Sequence, residues 1–151
     1  MSAPSYWREK KYRYRLIAKY CKKCDKKYYP PRLVCLGCGN NELEDVELPK
    51  KGTLITYTWV TQPPKEFADN APYAIGLIKL DDGTIIFAQL TDVDYEELRE
   101  GLRVEAVFRK MFEEDDKGLI YYGIKFRPAY FESNVVWKEF IFLIKDKYIF
   151  L

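Results

Sequence analysis

Four cysteines fall in two frames, Cys21-Lys-Lys-Cys24 and Cys35-Leu-Gly-Cys38, with ten residues between them. Each C-x-x-C frame can turn tightly around a metal, and two such frames supply four thiolates for a tetrahedron with arms of roughly 2.3 Å. This spacing, with no βαβ pattern around either frame, favours zinc over a disulfide or a redox dithiol. Four sulfur ligands leave no open coordination position, so the expected metal is structural. The chain has no histidine, which removes the commonest general base and the usual ligands of a catalytic zinc. It also has no glycine-rich phosphate loop and no serine elbow, and the reading is therefore of a non-catalytic protein.

Around the cysteines the charge is lopsided. Residues 1–35 hold eleven Lys/Arg against Glu9 and Asp25, while the rest of the chain is net acidic. A basic head calls for an anionic partner such as a phosphate ligand, nucleic acid or an acidic protein surface. The plainer alternative is that lysines offset the double negative charge of a four-thiolate zinc site. No run of 18 uncharged apolar residues is present, and Met1–Lys11 lacks the apolar stretch of a leader, so the expectation is a cytoplasmic protein without a membrane contact. In that reducing compartment paired cysteines serve as metal ligands more often than as disulfides.

Ser5 can cap a short helix through Tyr12, and Arg13–Tyr20 reads as a strand entering the first cysteine frame. From Gly52 the texture changes to spaced strands: 53–61, 73–80, 84–90, 103–111 and 119–127. An Asp81-Asp82-Gly83 hairpin and a helical turn at Asp94–Glu100 ending on Gly101 punctuate them. In the last strand Ile120, Tyr122, Ile124 and Phe126 share a face by alternation. Five short strands with an insert between the third and fourth match an OB-fold, a small Greek-key barrel. The fold expected is mostly β, with a helix and zinc ribbon over 1–48, a barrel over 49–130 and an apolar extension over 131–151. That extension, rich in Val, Trp, Phe and Ile, needs something to pack on.

OB barrels bind on the face of their second and third strands and the flanking loops. Tyr57, Trp59, Phe67 and Tyr73 are the rings placed to form a stacking or ligand platform; the alternative is that each is barrel core or interface. Arg127, at a strand end, either grips a phosphate or carboxylate or makes a surface ion pair. The acidic run from Glu113 to Asp116 lacks a calcium-loop pattern and reads as a solvated hairpin tip.

Tyr6-Trp7-Arg8, Tyr14-Arg15-Leu16 before CKKC, Tyr28-Tyr29-Pro30-Pro31-Arg32 before CLGC, and the segments GTLITYTWV, APYAIGLIKLDDG and YYGIKFRP resemble, in order, the zinc-ribbon/OB-fold proteins grouped as domain of unknown function number thirty-five. The resemblance spans residues 5 to about 130. It implies a rubredoxin-like ribbon with Cys21, Cys24, Cys35 and Cys38 as ligands, and a non-catalytic acyl-CoA-binding or scaffolding subunit. It is closest to archaeal members, which bridge acetoacetyl-CoA thiolase and HMG-CoA synthase in the mevalonate pathway. The family's Phe-Arg-Pro maps onto Phe126, Arg127 and Pro128, making Phe126 and Arg127 further candidate contacts for coenzyme A or acyl-CoA. Asp25 departs from the Gly often found after such a knuckle, and Leu36 from a common Pro. The alternative function is single-stranded nucleic-acid binding, opposed by the acidic barrel.

Overall fold

A computed structural model describes residues 3–114 and 118–130. The extension expected at 131–151 lies outside the described residues, as does the middle of the acidic tip. Helix α1 runs from Ala3 to Tyr14, with Pro4 in the first turn, where its missing N–H costs nothing. The helix thus starts before Ser5 and absorbs Arg13 and Tyr14, which alternation assigned to a strand. The reason is tertiary. Tyr6 and Tyr14 lie two turns apart on one face, and their hydroxyls meet at 2.8 Å. Tyr6 also donates to the Tyr122 carbonyl at 3.2 Å and accepts from the Tyr122 N–H at 3.1 Å. That buried hydroxyl fastens the helix to the last strand.

The ribbon is a three-stranded antiparallel sheet of β1 (Ile17–Cys21), β2 (Lys26–Tyr28) and β3 (Glu44–Glu47), in the order β2-β1-β3. Strand β3, Glu-Asp-Val-Glu, carries no apolar alternation and was not anticipated. It forms because β1 offers it a ladder and because its acids face the basic head. Asp45 meets Lys11 at 2.8 Å and Lys19 at 2.7 Å, Glu47 meets Arg15 at 3.0 Å, and Glu44 meets Lys22 at 2.6 Å. Three carboxylates of β3 therefore offset part of the cationic surplus.

From there the chain enters the barrel without slack. The Leu48 N–H donates to Leu16 at 2.8 Å, and the Lys50 carbonyl accepts from Ala106 at 2.6 Å. Strands β4 (Lys51–Val60), β5 (Tyr73–Leu80), β6 (Ile85–Gln89), β7 (Arg103–Glu113) and β8 (Ile120–Pro128) form one sheet in the order β6-β5-β4-β7-β8. A parallel bridge between Leu90 and Phe126, with the Thr91 N–H donating to the Phe126 carbonyl at 2.8 Å, brings the outer strands together. This is the OB connectivity in a nearly closed barrel.

A register shift between Leu54 and Thr56 pushes Ile55 outward and keeps Leu54, Tyr57 and Trp59 on the inner face. This bulge restores the inside-outside alternation after one extra residue. The segment Asp94–Glu100 is a turn rather than a helix. Its short-range bonds are isolated, from the Glu97 N–H to Asp94 and from the Leu102 N–H to Arg99, and Gly101, at φ +83°, donates to Leu54, so β4 captures the chain before a helix can propagate.

The apolar core contains Leu54, Ile78, Leu80, Ile86, Val104 and Phe126, and Leu16, Ala18 and Leu48 of the ribbon belong to the same cluster. In β8 the expected face divides. Ile124 and Phe126 meet the core, but Ile120 and Tyr122 are partly exposed while Tyr121 is buried. The opposite face is covered because the Tyr6 and Phe112 rings lie 4.7 and 4.4 Å from that of Tyr121.

Candidate metal centre and grooves

The β1–β2 hairpin turns through the first cysteine frame, and the loop before β3 carries the second. After each frame the backbone enters the left-handed region, at Asp25 (φ +51°) and at Gly39 (φ +69°). The two knuckles thus share one geometry despite the Asp for Gly change. Asp tolerates that region better than most residues, and its Oδ1 accepts from Tyr20 at 2.7 Å. Within the second knuckle Gly37 sits in a tight place, since a Cβ there would lie 3.3 Å from the Cys24 sulfur and push it by a few tenths of an ångström.

The four sulfurs all lie within 4.8 Å of one another, with Cys21 and Cys38 at 3.6 Å. A zinc tetrahedron with 2.3 Å arms has edges of about 3.8 Å, so this donor set fits zinc in size and in softness. Cys21 and Cys35 are buried and Cys38 is exposed.

The proton chemistry points the same way. A hydrogen bond from the Tyr28 hydroxyl at 3.2 Å, followed by the Cys38 and Gly37 N–H groups, brings the Cys35 thiol down to about 6. Cys24, hydrogen-bonded to Cys38 and desolvated, is pushed up to about 12. Sulfurs this close cannot all lose their protons unaided, and a divalent cation among them removes the conflict. The Lys26 ammonium lies beside Gly37 and offsets part of the remaining negative charge. Held by the four cysteines, zinc supplies a structural cross-link.

The candidate ligand residues are distributed unevenly. Phe67 and Tyr73 come together, with ring centroids 6.1 Å apart, at the rim of an apolar cleft of about 270 Å³. Phe67 belongs to a short 3-10 turn at Lys65–Asn70, and Phe87 and Met111 complete the rim. Phe126 lines the same cleft from the core and is 0% exposed. Tyr57 and Trp59 pack on the core instead. The Tyr57 hydroxyl donates to Leu98 at 2.9 Å, and the Trp59 ring lies 5.5 Å from that of Tyr95, tilted by 36°, with its indole N–H buried and unpartnered. Arg127 spends its guanidinium on Glu105, its cross-strand neighbour, at 2.7–2.8 Å.

Residues that spacing did not single out define a second groove of about 390 Å³, lined by Tyr12, Arg13, Lys19, Tyr29 and Arg32 together with Glu9, which pairs with Arg13. Tyr29 also borders the apolar cleft, so a cationic groove and an apolar one meet at one ring. Its hydroxyl is pushed upward, mainly by burial. The aromatic and proline run at Tyr28–Arg32 was the available signal.

Two family models match the chain: a rubredoxin-like zinc ribbon domain over residues 8–44 and a C-terminal OB-fold domain over residues 45–109, both described for ChsH2. A DUF35 domain-containing scaffold protein of Pyrococcus furiosus is 43% identical over 85% of this chain and 93% of its own length. The chain belongs to the DUF35 family. A second DUF35 scaffold protein, from Methanocaldococcus jannaschii, is 43% identical over 81% of the chain and 87% of its own. Among solved structures, the Ltp2-ChsH2(DUF35) aldolase aligns with a TM-score of 0.60 at 25% identity, over 83% of this chain and 90% of that one. These likenesses agree with the ribbon and barrel of this DUF35 protein. Among its described residues no helix is long and apolar enough to cross a membrane.

Proposed function

We propose that this DUF35 protein is a non-catalytic scaffold that bridges acetoacetyl-CoA thiolase and HMG-CoA synthase in the mevalonate pathway, in the cytoplasm, and presents a site for acyl-CoA. The observation carrying the scaffold reading is the 43% identity, over most of both chains, to proteins named as scaffolds. The DUF35 chain in the aldolase structure is a supporting likeness. For the ligand, support comes from the junction at Tyr29. Acyl-CoA has anionic phosphates at one end and an apolar acyl-pantetheine arm at the other, matching a groove in which Arg32 carries no ion pair among the described residues, Arg13 and Lys19 being held by Glu9 and Asp45, and which adjoins a cleft rimmed by Phe67, Tyr73 and Phe87.

The nucleic-acid alternative loses its main support, because β3 pairs the head's cations internally and leaves less charge for a phosphate backbone. The test is affinity purification of the full chain from its native source. Recovery of a thiolase and an HMG-CoA synthase supports the reading; recovery of RNA, with binding that weakens steeply in salt, overturns it. Calorimetric titration with acetyl-CoA against dephospho-CoA tests the cationic groove separately.

A further inference from the structure

The strongest unexplained surface lies at the tip of the second knuckle. Leu33 is 86% exposed, Val34 47% and Leu36 70%, three large aliphatic side chains within four residues. The backbone that carries Leu36 and follows Val34 is pinned, because the Cys35 N–H donates to Asn40 at 2.8 Å, Gly39 donates to Cys35 at 2.9 Å, and Cys35 and Cys38 belong to the cluster of four cysteines that can hold a metal. Leu36 also lines a groove of about 690 Å³ whose far wall is the β5–β6 turn with Ile85, itself 55% exposed. Exposed apolar side chains on or beside a pinned backbone save the entropy of ordering that backbone on contact, and this is the profile of interface anchors.

The charge around them names the occupant. Lys11, Arg13, Arg15, Lys19, Lys22 and Lys27 of the basic head are ion-paired. Arg32, next to Leu33 and in the groove, is exposed and has no ion pair among the described residues, and the same holds for Lys23 on the neighbouring knuckle; of the groove's own acids, Asp82 is held by Lys27 and Asp25 by the Tyr20 hydroxyl. We propose that the knuckle tip and this groove are the docking face for a partner protein's segment that carries apolar anchors flanked by Asp or Glu. A second copy of this chain docked through the same face would set the Arg32 residues of the two copies near each other, which disfavours that occupant. The inference rests on the scaffold reading and assigns that reading's partner contact to particular residues.

The test places a photoreactive phenylalanine analogue at Leu33, Leu36 or, as a control, Ile120 in the full chain, expressed in its native complex. Crosslinks from 33 and 36 are expected to map to one acidic, apolar partner segment at ten times or more the control yield. L33D/L36D, with its zinc content intact, is expected to lose at least tenfold in affinity for that partner, and R32E to flatten the salt dependence of binding. Yields no higher than at Ile120, crosslinks to a second copy or to nucleic acid, or undiminished binding by zinc-loaded L33D/L36D would overturn the proposal. If thiolase and synthase still assemble on L33D/L36D, the docking face falls and the partner reading stands. Crosslinks onto an acidic segment of an unrelated protein do the reverse.

Discussion

The ribbon and the barrel hold strands together by opposite means. The ribbon's strands have 5, 3 and 4 residues, and what binds them is a metal site and a row of ion pairs around β3. The barrel's strands run to 11 residues, and an apolar core supports them with no cross-link. A module this small buries too little surface to stand on hydrophobic burial, so a metal supplies the missing constraint. The difference teaches that the same residue types answer to different variables: cysteines and charges dominate one region, and volume and shape the other.

Removing the metal should produce the largest effect. Chelation at neutral pH, or Cys21→Ser, is expected to abolish amide-exchange protection in β1–β3 while leaving it in the centre of β4 and β5, because structural zinc contributes on the order of 10 kcal/mol in small modules. Protected β1–β3 in zinc-free protein would erase the contrast. On the barrel side, Phe126→Ala is expected to cost about 3–5 kcal/mol in denaturant unfolding, the range for a fully buried ring, with one zinc per chain retained. Loss of zinc along with stability would show that the two regions fail together, a result the shared residues Leu16, Ala18 and Leu48 make informative.

Smaller effects sharpen the comparison. Tyr28→Phe deletes the hydroxyl that meets the Cys35 sulfur at 3.2 Å and is expected to weaken zinc binding about 10–100-fold in chelator competition, with the barrel's unfolding midpoint unchanged. Asp45 gives the smallest change. Hydrogen bonds from Lys11 and then Lys19 hold its carboxyl below its ordinary 3.8. A carboxyl depressed on folding adds stability that is present above the unfolded value and lost as pH falls through the folded one. Asp45→Asn should therefore lower the Tm by no more than about 3 °C at pH 7, and the gap to the parent should close below about pH 4. A gap that widens in acid would contradict the assignment of this pair.

The same division explains what could be read in advance. The metal ligands were legible because the chemistry of zinc fixes their type and spacing locally. The five barrel strands were legible in order because turns such as Asp81-Asp82-Gly83 and the period-two runs are local as well. Strand β3 was hidden, since its reason for being a strand lies in Lys11, Arg15, Lys19 and Lys22 on other elements. The division of the β8 face was hidden for a similar cause: only the docking of Tyr6 decides that Tyr121 is buried and Tyr122 is not. Arg127 met its plainer alternative, a pair with Glu105 that cross-strand register sets and spacing cannot reveal. Tyr29 as a junction of grooves depends on the ribbon packing against the barrel, which no single segment encodes.

The passage from Glu47 to Lys51 has a mechanical meaning. Leu48 is bonded to Leu16 and Lys50 to Ala106, and Pro49 between them fixes its own φ. These bonds and the ring restrict the joint. On the scaffold reading proposed above, an occupant of the knuckles would meet an occupant of the barrel at a limited range of distance and angle, so the chain would work as a set-square rather than as a tether.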